Sequence, residues 1–105
     1  MSVIVTVWLQ GDAEKFEQYA AENKDKLRAI SDRAVEAGVI AHRFYGADGQ
    51  IMVIDEWPDK ASFQGFFGGI QDDIAPMMQA AGVQNEPGVN FWRKLETHDE
   101  VGWES

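Results

Sequence analysis

Residues 39–57 read Val39-Ile40-Ala41-His42-Arg43-Phe44-Tyr45-Gly46-Ala47-Asp48-Gly49-Gln50-Ile51-Met52-Val53-Ile54-Asp55-Glu56-Trp57. Two runs rich in β-branched and aromatic residues flank Gly46-Ala47-Asp48-Gly49, which makes Val39–Tyr45 and Gln50–Trp57 a strand pair. Asp-Gly between apolar runs suits a type I′ turn, whose two central residues both need φ > 0. With Asp48 and Gly49 at those positions, Ala47 faces Gln50. His42 then lies opposite Asp55, Phe44 opposite Val53 and Ile40 opposite Trp57, all six on one face of the ladder. Arg43 with Ile54 and Tyr45 with Met52 share the other face, where Arg43 reaches diagonally toward Glu56.

Outward from this hairpin, Val3–Gln10 is a third strand. Val3, Val5, Val7 and Leu9 alternate with Ile4, Thr6 and Trp8, so both faces are largely apolar. Asp12 is a candidate N-cap for a helix whose core-facing positions (Phe16, Tyr19, Ala20, Asn23, Leu27, Ile30, Ala34) recur at helical spacing as far as Gly38. That run is about 25 residues, long for a globular helix, and Glu22–Lys26 is the expected kink. Pro58-Asp59 ends the hairpin's second strand. A second helix carries Phe63, Phe66, Phe67 and Ile70, is interrupted at Gly68-Gly69, and continues through Ile74, Met77, Met78 and Ala81 to Gly82. Pro76 fits only the first turn of that second piece. Val89–Leu95 is the last strand.

The order β-α-β-β-α-β, with right-handed crossovers, predicts an α+β, ferredoxin-like fold: a four-stranded antiparallel sheet with both helices on one face. Helices on one side cannot cover strands that are apolar on both. The second face calls for another sheet, and a second copy of the chain is the simplest donor. A homodimer packed through sheet faces is therefore expected.

The segment Asp55-Glu56-Trp57-Pro58-Asp59-Lys60-Ala61-Ser62-Phe63 strengthens this reading. An acidic residue and Trp close the third strand, a short acidic turn follows, and a small-residue–Phe step opens the second helix. With the element order, it resembles the dimeric α+β barrel superfamily, and within it the antibiotic-biosynthesis-monooxygenase-like branch. The likeness in elements spans residues 3–96, leaving 97–105 as an acidic tail. The superfamily includes cofactor-independent monooxygenases, haem-degrading enzymes, isomerases and proteins with no known activity. In the haem-degrading branch a Trp at the end of the third strand bounds the cavity, and Trp57 matches it. That branch also uses a His on the second helix and an Asn on the first strand. Asp59–Gly82 has no His and Val3–Gln10 no Asn, so haem binding is the weakest of the family's functions for this chain. The oxygenase branch uses cavity Asn, Trp, Tyr and Arg side chains, for which Trp57, Tyr45, Arg43 and Asn90 are candidates by type.

The most specific constellation is His42 with Asp55. A carboxylate beside an imidazole fixes its tautomer and fits the free ring nitrogen for general-base work on a phenol or enol, whose anion can react with dioxygen. The alternative is mutual satisfaction of two half-buried polar groups in a packed sheet. Trp57, Phe44, Trp8, Tyr45, Arg43 and Phe67 are the candidate substrate-binding residues; core or interface packing, or an Arg43–Glu56 pair, is the other reading of each. The expected ligand is a small apolar or aromatic molecule between sheet and helices, bound without metal or organic cofactor. A non-catalytic ligand-binding or assembly dimer is the competing reading.

Composition narrows the classes further. The chain has 105 residues, 9 Lys plus Arg against 18 Asp plus Glu, a net charge of −9 and no Cys. Such an acidic surface repels phosphate backbones and anionic lipids, so neither nucleic acid nor membrane is an expected partner. Without Cys there are no disulfides, thiolate nucleophiles or Cys-based zinc sites. Phosphate-loop, dinucleotide-binding and metalloprotease motifs are absent. His98, amid Asp99 and Glu100, reads as solvated tail, and Trp103 is a candidate anchor of the tail on a partner subunit. No signal-peptide pattern opens the chain, so a cytoplasmic protein is the expectation.

Overall fold

The computed structural model describes residues 2–102; the expected anchor Trp103 lies outside the described residues. The elements are β1 (Val3–Gln10), α1 (Ala13–Glu22), α2 (Lys24–Ala37), β2 (Ala41–Ala47), β3 (Gln50–Trp57), α3 (Lys60–Gly69), α4 (Gln71–Ala81) and β4 (Gly88–Trp92). The strands form one antiparallel sheet in the order β2-β3-β1-β4. This is the ferredoxin-like arrangement expected from the element order.

The hairpin register is the expected one, with His42 opposite Asp55, Phe44 opposite Val53 and Ala47 opposite Gln50. The turn differs. Only Gly49 is left-handed, at φ 72°, and Asp48 is not, so the turn is not type I′. The Gly49 carbonyl also accepts from the Gly11 N–H at 3.1 Å, which ties the turn to the end of β1. Regular β2 starts at Ala41 rather than Val39, because the Val39 N–H closes the end of α2 onto the Ala34 carbonyl at 3.0 Å. Regular β4 stops at Trp92, short of the expected Leu95.

The long first helix is two helices, broken at Asn23 within the expected kink. The Asn23 side-chain amide donates to the Tyr19 carbonyl at 2.9 Å, a local bond that competes with helix continuation. The second is broken one residue after Gly69, at Ile70, where the Arg33 guanidinium holds the Gly69 carbonyl at 3.0 Å and Asp73 at 2.6 Å. Pro76 departs from expectation: it sits well inside α4. It is exposed there, as is Asp72 one turn before it, whose carbonyl the proline ring leaves without a helical donor.

The odd-numbered residues of β1 point at the helices. Val5, Val7, Leu9, Ile51 and Trp57 form a core with Phe16 of α1, Ala34 of α2, Phe63 of α3 and Ile74, Met77 and Ala81 of α4. The even-numbered residues of β1 and their neighbours make the opposite face, which no element among the described residues covers. Tyr45, Ile54 and Trp92 are exposed on it, with Trp8 and Met52 half-buried among them. Polar atoms there pair with each other. The Trp92 indole donates to Thr6 Oγ1 at 2.8 Å, and the Trp8 indole to Gln50 Oε1 at 2.9 Å.

Candidate functional site

Asp55 and Trp57 lie two residues apart on β3, so both side chains point to the helix layer. His42, opposite Asp55 on β2, joins them there. His42 Nδ1 is 2.7 Å from Asp55 Oδ1, and the Trp57 Nε1–H donates to Asp55 Oδ2 at 3.0 Å. Both carboxylate oxygens are therefore engaged, one from each side. The Asp55 side chain is 7% exposed and that of His42 32%, so a buried carboxylate holds an imidazole that reaches the protein's edge. The His42 ring also meets Phe44 edge-on at 5.1 Å.

This pair borders a cavity of about 110 Å³ between sheet and helices. Its walls come from every layer: Phe44 and Val53 from the hairpin, Leu27 from α2, Phe67 from α3, and Met77 and Met78 from α4. Among the described residues, Ser31, His42 and Asp55 are its only polar residues, and no Lys or Arg lines it. Aromatic contacts make the enclosure firm. Phe16 and Phe44 lie 4.7 Å apart between ring centres, and Phe63 and Phe67 stack at 5.2 Å. Ligand pockets in proteins commonly run to several hundred Å³ (roughly 300–1,000), and this one is smaller. Among the described residues, no three His, Cys, Asp or Glu side chains converge as a metal site would require.

The candidate residues thus separate into two groups. His42, Asp55, Phe44 and Phe67 come together around the cavity. Trp57 sits behind them, fully buried against Phe63 and Phe66, and reaches the site only through its bond to Asp55 rather than as a cavity wall. Trp8, Tyr45 and Arg43 do not belong to this cavity, because strand alternation turns them to the uncovered face. Asn90, paired with Thr6, falls there too. The expected Arg43–Glu56 pair is replaced as well: Arg43 donates to the Tyr45 hydroxyl at 3.2 Å, while Glu56 accepts from Ser2 at 2.5 Å. The Trp57–Asp55 bond was not anticipated, although their spacing of two on one strand was the signal for it. The Leu27 and Ser31 walls had no such signal, since their approach depends on how α2 lies across the sheet.

No family model matches the chain, and no curated protein matches it in sequence. Solved structures do match in three dimensions. A Deinococcus radiodurans protein assigned as an antibiotic biosynthesis monooxygenase aligns over 95% of this chain and 99% of its own, at TM-score 0.63 and 14% identity. SnoaB, a cofactor-independent oxygenase from Streptomyces nogalater, aligns over 94% and 97%, at TM-score 0.56 and 15% identity. A dimeric ferredoxin-like protein from an uncultured marine organism aligns over 95% and 93%, at TM-score 0.63 and 13% identity. At these identities the likeness is one of fold. The chain shares the ferredoxin-like α+β fold of these antibiotic biosynthesis monooxygenase and ferredoxin-like structures, in line with the resemblance. No helix among the described residues is long and apolar enough to cross a membrane.

Proposed function

We propose that this protein is a homodimer that binds a small apolar or aromatic molecule beneath its helices and oxidises it with dioxygen, without a metal or organic cofactor. The observation that carries this reading is the orientation of the His42–Asp55 pair. It borders an apolar, partly open cavity on the helix side instead of the uncovered sheet face. With Nδ1 turned to Asp55, the neutral ring of His42 offers Nε2 as a proton acceptor. A phenol or enol in the cavity gives its proton to Nε2. The carbanion form of the resulting anion bonds to dioxygen. The imidazolium returns its proton to the peroxide, whose outer oxygen leaves as water together with the hydrogen on the same carbon to give a carbonyl, so the substrate supplies all four electrons that reduce dioxygen and no external reductant is needed. Asp55 orients His42 and stabilises the imidazolium; Trp57 holds Asp55.

The uncovered face supports the dimeric half of the proposal. Trp92 is 53% exposed and Tyr45 47%, a load of aromatic surface that a lone subunit leaves in water. The dimeric ferredoxin-like protein of matching fold is in keeping with this.

The small cavity favours one competing reading, a dimer that binds a ligand without transforming it. Dioxygen consumption separates the two. Uptake is measured with a panel of phenols and quinols, for the wild type and for His42→Ala. The oxygenase reading expects uptake by the wild type that falls at least a hundredfold in the variant. No uptake by the wild type across the panel removes it.

A further inference from the structure

The cavity's size, charge and hydrogen-bonding pattern together specify a ligand more narrowly than "apolar or aromatic". We infer that the cavity takes a neutral, single-ring aromatic alcohol of the phenol class, with the hydroxyl donated to Nε2 of His42. This deepens the proposed function and rests on the cavity being a ligand site.

Three observations converge on it. The first is volume. An apolar cavity of roughly 150 Å³ accommodates benzene, and this one is about 110 Å³. One six-membered ring fits with small adjustments of the flexible Met77 and Met78 side chains; a second fused ring has to displace further wall residues or extend out of the cavity. The second is charge. No cationic side chain lines the cavity, Asp55 places a carboxylate at its polar end, and the chain carries net charge −9. A ligand bearing its own carboxylate would enter with nothing to neutralise it. The third is hydrogen-bonding sense. Asp55 has both oxygens occupied, by His42 and Trp57. Among the described residues Nε2 of His42 has no partner, and with Nδ1–H donating to Asp55 it is an acceptor in the neutral ring. A ligand that brings a donor can bond to that acceptor, whereas an ether or ketone of the same shape leaves it to water at the cavity's edge.

Four probes at pH 8 test the inference by calorimetric titration of the full chain: 4-methylphenol, its methyl ether, 2-naphthol and 4-hydroxybenzoate. Binding inside the cavity is read independently from the methyl NMR signals of Met77 and Met78, two of only four methionines. The expected result is saturable binding of 4-methylphenol with shifts of both methyl signals. The other three should bind at least tenfold more weakly. In His42→Phe, which removes the acceptor from a partly exposed edge position, phenol and ether should bind alike. If 2-naphthol or 4-hydroxybenzoate binds as tightly as 4-methylphenol, the inference fails while the ligand-site reading stands. Equal binding of phenol and ether by the wild type overturns the role given to Nε2. If no probe moves the Met77 and Met78 signals, the ligand-site reading itself falls.

Discussion

Trp57 and Asp55 are joined by a buried hydrogen bond of 3.0 Å between neighbours on one face of β3. Trp57 is 0% exposed and Asp55 5%, so the bond lies where water cannot substitute for either partner. It occupies the carboxylate oxygen that His42 does not, and so sets which oxygen is left for the imidazole.

Replacing Trp57 by Phe keeps an aromatic ring against Phe63 and Phe66 but removes the donor. An oxygen of Asp55 then stays buried without a partner, at a cost of about 1–3 kcal/mol, with a further contribution from the smaller ring. Urea denaturation should show a loss of about 2–4 kcal/mol. A loss below about 0.5 kcal/mol would mean that the bond contributes little.

Gly65, Gly68 and Gly69 give α3 three glycines in ten residues. None is left-handed, and a Cβ at any of them would meet nothing within 4 Å. Neither packing nor backbone geometry requires them. Gly65→Ala and Gly68→Ala should each stabilise the protein by roughly 0.5–1 kcal/mol, through helix propensity and a less flexible unfolded chain. Gly46 is the contrast. A Cβ there would lie 2.8 Å from the Ala13 side chain, so Gly46→Ala should destabilise by about 1–3 kcal/mol. Thermal melts of the three variants provide the comparison.

Ile54 is central to the uncovered sheet face, between Thr6 and Arg43 in the strand ladders. A Lys there inserts a charge into the proposed dimer contact without touching the core. Sedimentation at micromolar concentration should give twice 11.8 kDa for the wild type and a single chain for Ile54→Lys. A wild-type monomer would refute the dimer.

Asp59 caps α3, accepting from the Ser62 N–H at 2.8 Å. That bond, with the Ser62 hydroxyl, holds the carboxyl below its usual value. A carboxylate lowered in the folded state stabilises fully above its unfolded value and loses the contribution as pH falls through the folded one. The stability difference between wild type and Asp59→Ala should therefore be constant from pH 7 to about pH 5, and shrink as pH falls through the carboxylate range. A difference that grows on acidification would contradict the assignment.

Much of the fold was legible because the decisive signals are local. Asp48-Gly49 marks the hairpin and sets its register, even though the turn itself takes a different conformation. The polar run Glu22–Lys26 and Gly68-Gly69 mark the helix breaks within a few residues, because such residues act through neighbouring backbone groups, although Asn23 itself reads as part of the helical pattern. Pro76 was misplaced since its tolerance depends on exposure, which only the packing of α4 determines. The site was half legible. Register put His42 beside Asp55, but register is the same whichever face is covered. The choice between cavity and uncovered face came from where the helices settle, and it removed Trp8, Tyr45 and Arg43 from the site together.

The sheet order carries one more consequence. His42 belongs to β2, an edge strand, whereas Asp55 belongs to β3, which is paired on both sides. The proposed proton acceptor and its orienting carboxylate therefore sit on segments of unequal protection against local opening. Each time β2 peels from β3 the imidazole leaves with it, and each closing rebuilds the pair. Under the proposed function, the fraction of molecules competent for chemistry follows the edge strand's own equilibrium, and a ligand held by His42 would act as a stitch along that edge, slowing amide exchange in β2 before it alters the centre of the sheet.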